Sequence, residues 1–189
     1  MRSTLAPDRY PPDRYHGVAI WFHWAIALLV LANLALGLLH ESLFDGLRWV
    51  MPVHKSIGFT VLALTLGRIY WRLTHRPPPH PSGMAAWERV AAGATHFLLY
   101  ALMLALPLSG WAMVSGTAKR RPLEFFGLFD MPYLPVGQAV GGAARNAHGL
   151  LGWAMLALIA LHVAAALRHH FLLRDTVLAR MVPALRGRG

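Results

Sequence analysis

Residues 146–169 read NAHGLLGWAMLALIALHVAAALRH, a run with no Lys, Arg, Asp or Glu from Arg145 to Arg168 and a histidine near each end. About 20 consecutive apolar residues cross a bilayer as a helix, so this run spans a membrane. His148 and His162 stand 14 residues apart. At 3.6 residues per turn that spacing falls about 40° short of four full turns, and the helical rise separates the two positions by about 21 Å. One helix therefore offers two imidazoles from one face at two depths.

The same absence of charge recurs between Arg14 and Glu41 and between Arg89 and Lys119. Hydrophobic residues make up 56% of the 189 positions and charged ones 14%. Soluble domains carry about 25% charged residues. A soluble fold, a disordered chain and a disulfide scaffold are excluded. The expectation is an all-α integral membrane four-helix bundle, one domain over residues 1–189, with spans near 18–39, 50–73, 87–114 and 146–169. The first span is too long for a cleavable signal and lacks a small-x-small cleavage site. The second holds Lys55 and Arg68, which 13 residues of helix place about 20 Å apart, so each is expected to snorkel to its own interface. Pro107 marks a kink in the third, tolerable inside a packed bundle.

Four spans put both termini on one side. Twelve cations share that side: Arg2, Arg9, Arg14, Arg68, Arg72, Arg76, Arg89, Arg168, Arg174, Arg180, Arg186 and Arg188. Six face the other: Arg48, Lys55, Lys119, Arg120, Arg121 and Arg145. The positive-inside rule then puts the termini of this multi-pass protein in the cytoplasm. A net charge of +10 thus reflects charge flanking the spans rather than a nucleic-acid surface.

There is no cysteine, which removes iron–sulfur thiolates, covalent haem attachment and disulfides. Histidine is plentiful, with 11 in the chain. An ionisable residue within a span is costly enough to indicate function, and five qualify: His23, His54, His96, His148 and His162. His23 lies at the depth of His162 and His54 at the depth of His148. Paired imidazoles across a bundle core are the ligand set of bis-histidine haem b, here as two haems stacked through the membrane. Small residues stand four positions on from each ligand candidate, at Ala27, Gly58, Gly152 and Ala166, where a flat macrocycle needs clearance. His96 has Tyr100 there instead and is expected to be structural.

All eight acidic residues lie at span ends or outside them, which speaks against a built-in proton pump and for plain electron transfer. Irons closed by two imidazoles leave no open position, so substrates would react at the haem edges. At the inner edge His169, His170 and Arg168 offer hydrogen-bond donors for a quinone carbonyl. At the outer edge Lys55, Arg48, Lys119, Arg120, Arg121 and Arg145 form a cationic mouth, able to pair with haem propionates or to steer a small anion. Lys55 and Arg145 stand nearest the outer histidines. Two other readings stay open: a cytochrome b subunit passing electrons between the quinone pool and a partner dehydrogenase or soluble cytochrome, and a haem-free membrane protein whose histidines hold metal ions.

The motifs IWFHW (20–24), VHKSIG (53–58), HFLLYALMLALPLSGW (96–111), FFGLFDMPYL (125–134) and LHVAAALRHHFLLRDTVLARMVP (161–183) resemble those of the prokaryotic cytochrome b561 proteins, over nearly the whole chain. Within that family the likeness is to the superoxide oxidase type, which passes electrons from superoxide outside to ubiquinone in the membrane. The resemblance implies a di-haem b bundle with His23, His54, His148 and His162 as ligands, and it makes His169 the quinone-side histidine. Residues 1–14 fall outside it.

Overall fold

The computed structural model describes residues 14–79, 83–119 and 122–187. Four helices are long and apolar enough to cross a membrane: α1 (Gly17–Leu38), α2 (Val50–Thr74), α3 (Ala86–Ser115) and α4 (Gln138–Arg168). Two of them start at a side-chain cap. The His16 imidazole caps α1 by accepting from the Val18 amide at 3.2 Å. Glu88 Oε2 reaches back to the Ala85 amide at 3.1 Å and closes the start of α3. α3 carries Pro107 inside it.

The helices form a closed ring, α1 on α2 and α4, α3 on α2 and α4. Ile26 and Val30, Ile57 and Val61, Met103 and Met155 meet at its centre. Large apolar side chains such as Leu28, Leu66, Phe97 and Leu161 remain on the outside. In water such a surface would aggregate; in a bilayer it is the solvated face. At the end of the bundle where α1 starts and α4 stops, called the inner end after the orientation expected from the charges, Trp24 Nε1 donates to the Met181 carbonyl at 2.8 Å and ties the C-terminal segment to α1.

Two departures from the expected spans matter. First, α4 begins at Gln138, eight residues before the apolar run. Gly116, just past α3, packs backbone to backbone on Gly141 of α4; a Cβ on Gly116 would lie 2.6 Å from the Gly141 Cα. That close approach holds a polar, glycine-rich segment in helix that hydropathy alone reads as loop. Second, the bundle is not purely helical. β1 (Glu124–Phe125) and β2 (Phe129–Asp130) form a small antiparallel hairpin, Glu124 opposite Asp130 and Phe125 opposite Phe129. The Leu128 amide bonds to the Phe125 carbonyl at 2.9 Å, across a turn in which Phe126 and Gly127 take positive φ of 50° and 71°. Ser56 of α2 anchors it, donating to the Glu124 carbonyl at 3.2 Å and accepting from the Phe126 amide at 2.9 Å. Leu123 is buried beneath it. The hairpin therefore caps the outer end of α2, next to His54.

Candidate functional site

His54 of α2 and His148 of α4 face each other at the outer end, ring centroids 6.1 Å apart and planes at 84°. Each ring is anchored through Nδ1. The His54 nitrogen lies 3.1 Å from the Asn33 carbonyl of α1. The His148 nitrogen lies 3.0 Å from the Leu106 carbonyl and 3.0 Å from Ser109 Oγ, both of α3. A carbonyl can only accept, so Nδ1 carries the proton in both rings and each Nε2 keeps its lone pair. Ser109 gives its own proton to the Leu106 carbonyl at 2.9 Å, which leaves its oxygen to accept from His148.

Glycines on the facing helices allow this approach. A Cβ on Gly37 of α1 would sit 2.8 Å from His54 Cε1, and one on Gly110 of α3 would sit 3.1 Å from His148 Cε1. The clearance is thus supplied across the bundle, at positions that same-helix spacing does not single out. Of the small residues expected to supply it, Gly58 lies against the Asn33 side chain and Gly152 against Leu38.

His23 of α1 and His162 of α4 face each other at the inner end, 6.3 Å between centroids and 67° between planes. Around them the chemistry changes. Arg68 does not snorkel outward as expected: its two terminal nitrogens lie 3.4 and 3.5 Å from His23 Nδ1, and its guanidinium carbon lies 5.4 Å from the Tyr100 ring centre. Among apolar helices this half-buried cation is met by an imidazole lone pair and an aromatic face. Nor is His96 remote from the site. Its ring is 5.4 Å from that of His162, and its Nδ1 donates back to the Ala92 carbonyl at 2.8 Å. The two residues are 66 positions apart in sequence, and α3 and α4 bring their rings together.

Among the described residues no three His, Asp or Glu side chains converge in a way that would hold a lone metal ion. The geometry is one of pairs. A metal–nitrogen bond is about 2.0–2.1 Å and the ring centre lies roughly 1 Å behind the nitrogen, so two imidazoles on one iron have centroids about 6 Å apart. Both pairs meet that separation. The side-chain oxygen of Asn33, close to the outer pair, is buried without a hydrogen-bond partner.

The other expected site residues are also placed. Lys55 Nζ donates to the Pro122 carbonyl at 3.0 Å, which ties the base of the outer loop to α2. Arg145, Arg48 and Lys119 are exposed at the outer end; Arg120 and Arg121 lie outside the described residues. His169 is buried, its Nδ1 2.5 Å from Asp175 Oδ2, a partner that the sequence did not single out. Arg168 pairs with Glu88 at 2.8 Å, joining the inner ends of α4 and α3.

Comparison with known proteins adds a second line of observation. The family described as prokaryotic cytochrome b561 matches residues 14–184. "Cytochrome b561 homolog 2" of Escherichia coli K12 is 35% identical over 175 residues, 90% of this chain and 92% of the relative. "Probable superoxide oxidase CybB" of Yersinia pestis is 31% identical over 179 residues, 92% of this chain and 98% of the relative. "Cytochrome b562" of Cereibacter sphaeroides is 33% identical over 175 residues, 89% and 94% of the two chains.

Proposed function

The chain belongs to the prokaryotic cytochrome b561 family, and on that premise we propose that it is a di-haem b oxidoreductase taking electrons from superoxide outside and giving them to ubiquinone in the membrane. Membership makes it a membrane electron-transfer protein; the donor, the acceptor and the ligands are our reading. The observation that carries it is the pair of imidazole pairs, at 6.1 and 6.3 Å, on one face of α4 about 21 Å apart.

His54 with His148 would hold the outer haem, His23 with His162 the inner one. A haem b held by two histidines would supply one-electron transfer. The protein's own residues do the rest. The Asn33 and Leu106 carbonyls fix the tautomer and aim of the outer rings, as backbone acceptors do for metal-bound histidines. At the inner pair Nε2 ligation needs the proton on Nδ1, so Arg68 must release His23; the carboxylates of a haem are suitable new partners for it. Arg48, Lys119 and Arg145 draw a monoanion toward the outer end, while Lys55 and Ser56, the residues after His54, hold the outer loop and its hairpin against α2. His169, next in line after α4, is the donor for a quinone carbonyl. The excess of Lys and Arg at the inner end supports cytoplasmic termini in the inner membrane. A haem-free protein holding metal ions is disfavoured by the absence of a three-ligand cluster among the described residues.

The test is a haem assay with a redox titration of the visible spectrum, followed by superoxide-driven reduction of ubiquinone. Two haems per chain and a quinone reduction rate well above the uncatalysed one are expected. That rate should fall steeply with added salt, because the mouth acts through screened charge. No acceleration over buffer refutes the superoxide reading; an absent Soret band refutes both.

A further inference from the structure

At the inner end one acid–base pair has no part in carrying electrons. His169 is only 8% exposed, and the backbone is shaped to give it a carboxylate. α4 widens into a π turn over His169–Leu173. Arg174 then takes a left-handed φ of 54°, and the chain folds back so that the Asp175 amide donates to the His169 carbonyl at 3.1 Å. The reversal sets Asp175 Oδ2 at 2.5 Å from His169 Nδ1. Its other oxygen accepts from the Val177 amide at 2.9 Å, so the carboxylate is held at both atoms. Asp175 also lines a cleft of about 510 Å³ that Glu88, Thr176 and Arg180 share. Glu88 is committed to Arg168. Arg180 gives one terminal nitrogen to the Pro79 carbonyl at 2.5 Å. Asp175 is thus the acid that touches both the cleft and the buried ring.

We infer that Asp175 is a positioning residue that holds the His169 imidazole for proton transfer to ubiquinone. The inference rests on His169 being the quinone-side residue. Two superoxide ions leave as two dioxygen molecules and provide two electrons; ubiquinone takes these and two protons to become ubiquinol. The protons come from the inner solvent. With both ring nitrogens protonated, His169 gives the proton on Nε2 to a quinone oxygen: the O–H bond forms as the N–H bond breaks, and the electron pair stays on nitrogen. The Nδ1–H bond to Asp175 persists throughout, and the carboxylate balances the charge of the doubly protonated ring. A proton from the inner solvent then returns to Nε2, and a second round completes the quinol. Glu88, Arg168 and Arg180 are the other charged groups around the pair.

The experiment uses haem-loaded, full-length protein reduced with stoichiometric dithionite and mixed with ubiquinone-1 or with ferricyanide, which takes an electron without a proton. Asp175→Asn should slow reoxidation by the quinone about tenfold or more, leave haem content, midpoint potentials and the ferricyanide rate unchanged, and be largely rescued by Asp175→Glu. A quinone rate within about twofold of the unaltered protein, or an equal loss with both oxidants, overturns the inference. Should Asp175→Asn fail to hold haem, the unaltered protein decides. Quinone reoxidation slower in D2O than in H2O, with no such effect for ferricyanide, supports proton-limited transfer, and equal rates in both solvents overturn it. Unaltered protein that ubiquinone does not reoxidise at all removes the quinone reading, and this inference with it, so the two failures are told apart.

Discussion

The two histidine pairs have nearly the same ring separation, 6.1 Å outside and 6.3 Å inside, yet they are held by opposite chemistry. The outer rings hang on backbone carbonyls, Asn33 for one and Leu106 for the other. The inner rings are held by side chains, with a guanidinium on His23 and a third imidazole against His162. A carbonyl pulling on Nδ1–H makes Nε2 more basic and favours the oxidised metal. A nearby cation favours the reduced one. If each pair holds a haem as proposed, the contrast in what holds the rings would favour a lower potential outside and a higher one inside, which is the direction the proposed reaction needs.

The largest effect that would break this comparison is a change in pairing. His54→Ala and His148→Ala should each lose the same haem, His23→Ala and His162→Ala the other, leaving about one haem per chain in every case. Haem quantification with a redox titration reads this directly, and crossed losses would dissolve the distinction between the ends.

Next come the glycines. Gly37→Ala puts a methyl 2.8 Å from the His54 ring, whereas Gly93→Ala meets nothing within 4 Å. Overpacking of this kind costs about 1–3 kcal/mol. Gly37→Ala should therefore lower both the melting temperature and outer haem occupancy, with the inner haem spared, and Gly93→Ala should change neither.

Arg68→Gln sharpens the electrostatic half. Removing a cation beside the inner site should lower the inner midpoint potential by on the order of 1 kcal/mol, roughly 40 mV for a one-electron couple, while the outer potential stays in place. Equal shifts at both sites would mean that Arg68 does not distinguish them. Ser109→Ala gives the smallest effect. His148 keeps the Leu106 carbonyl and loses only the second acceptor, worth about 0.5–1 kcal/mol. The outer potential should move by less than Arg68→Gln moves the inner one.

Much of the bundle was legible in the chain. The 14-residue spacing of His148 and His162 is a property of one helix, so periodicity alone sets their shared face. The charge-free runs likewise mark three spans, and the Lys55–Arg68 interval marks the fourth. What could not be read was everything that joins distant segments. Asn33 bonds to His54 through its main chain, which leaves no trace in residue type. Gly37 and Gly110 look like any other small residues of an apolar helix until a ring is seen against them. Arg68 has the pattern of a snorkelling cation, yet the fold turns it onto His23. Ser56 reads as one more small residue of α2, although it anchors the hairpin. For Asp175, a missed signal did exist: an acid six residues past a histidine, close enough for a reversed chain to pair them.

The amino-acid order by itself determined the four apolar helices and the place of each imidazole along its helix, because hydropathy and the 3.6-residue turn act within a single segment. Tertiary structure alone decided the hydrogen bonds on His23, His54 and His148, which glycines let the two outer rings approach, where Arg68 points and how far α4 extends. Those outcomes depend on contacts between helices that are far apart along the chain, and their energies exist only once the bundle has closed.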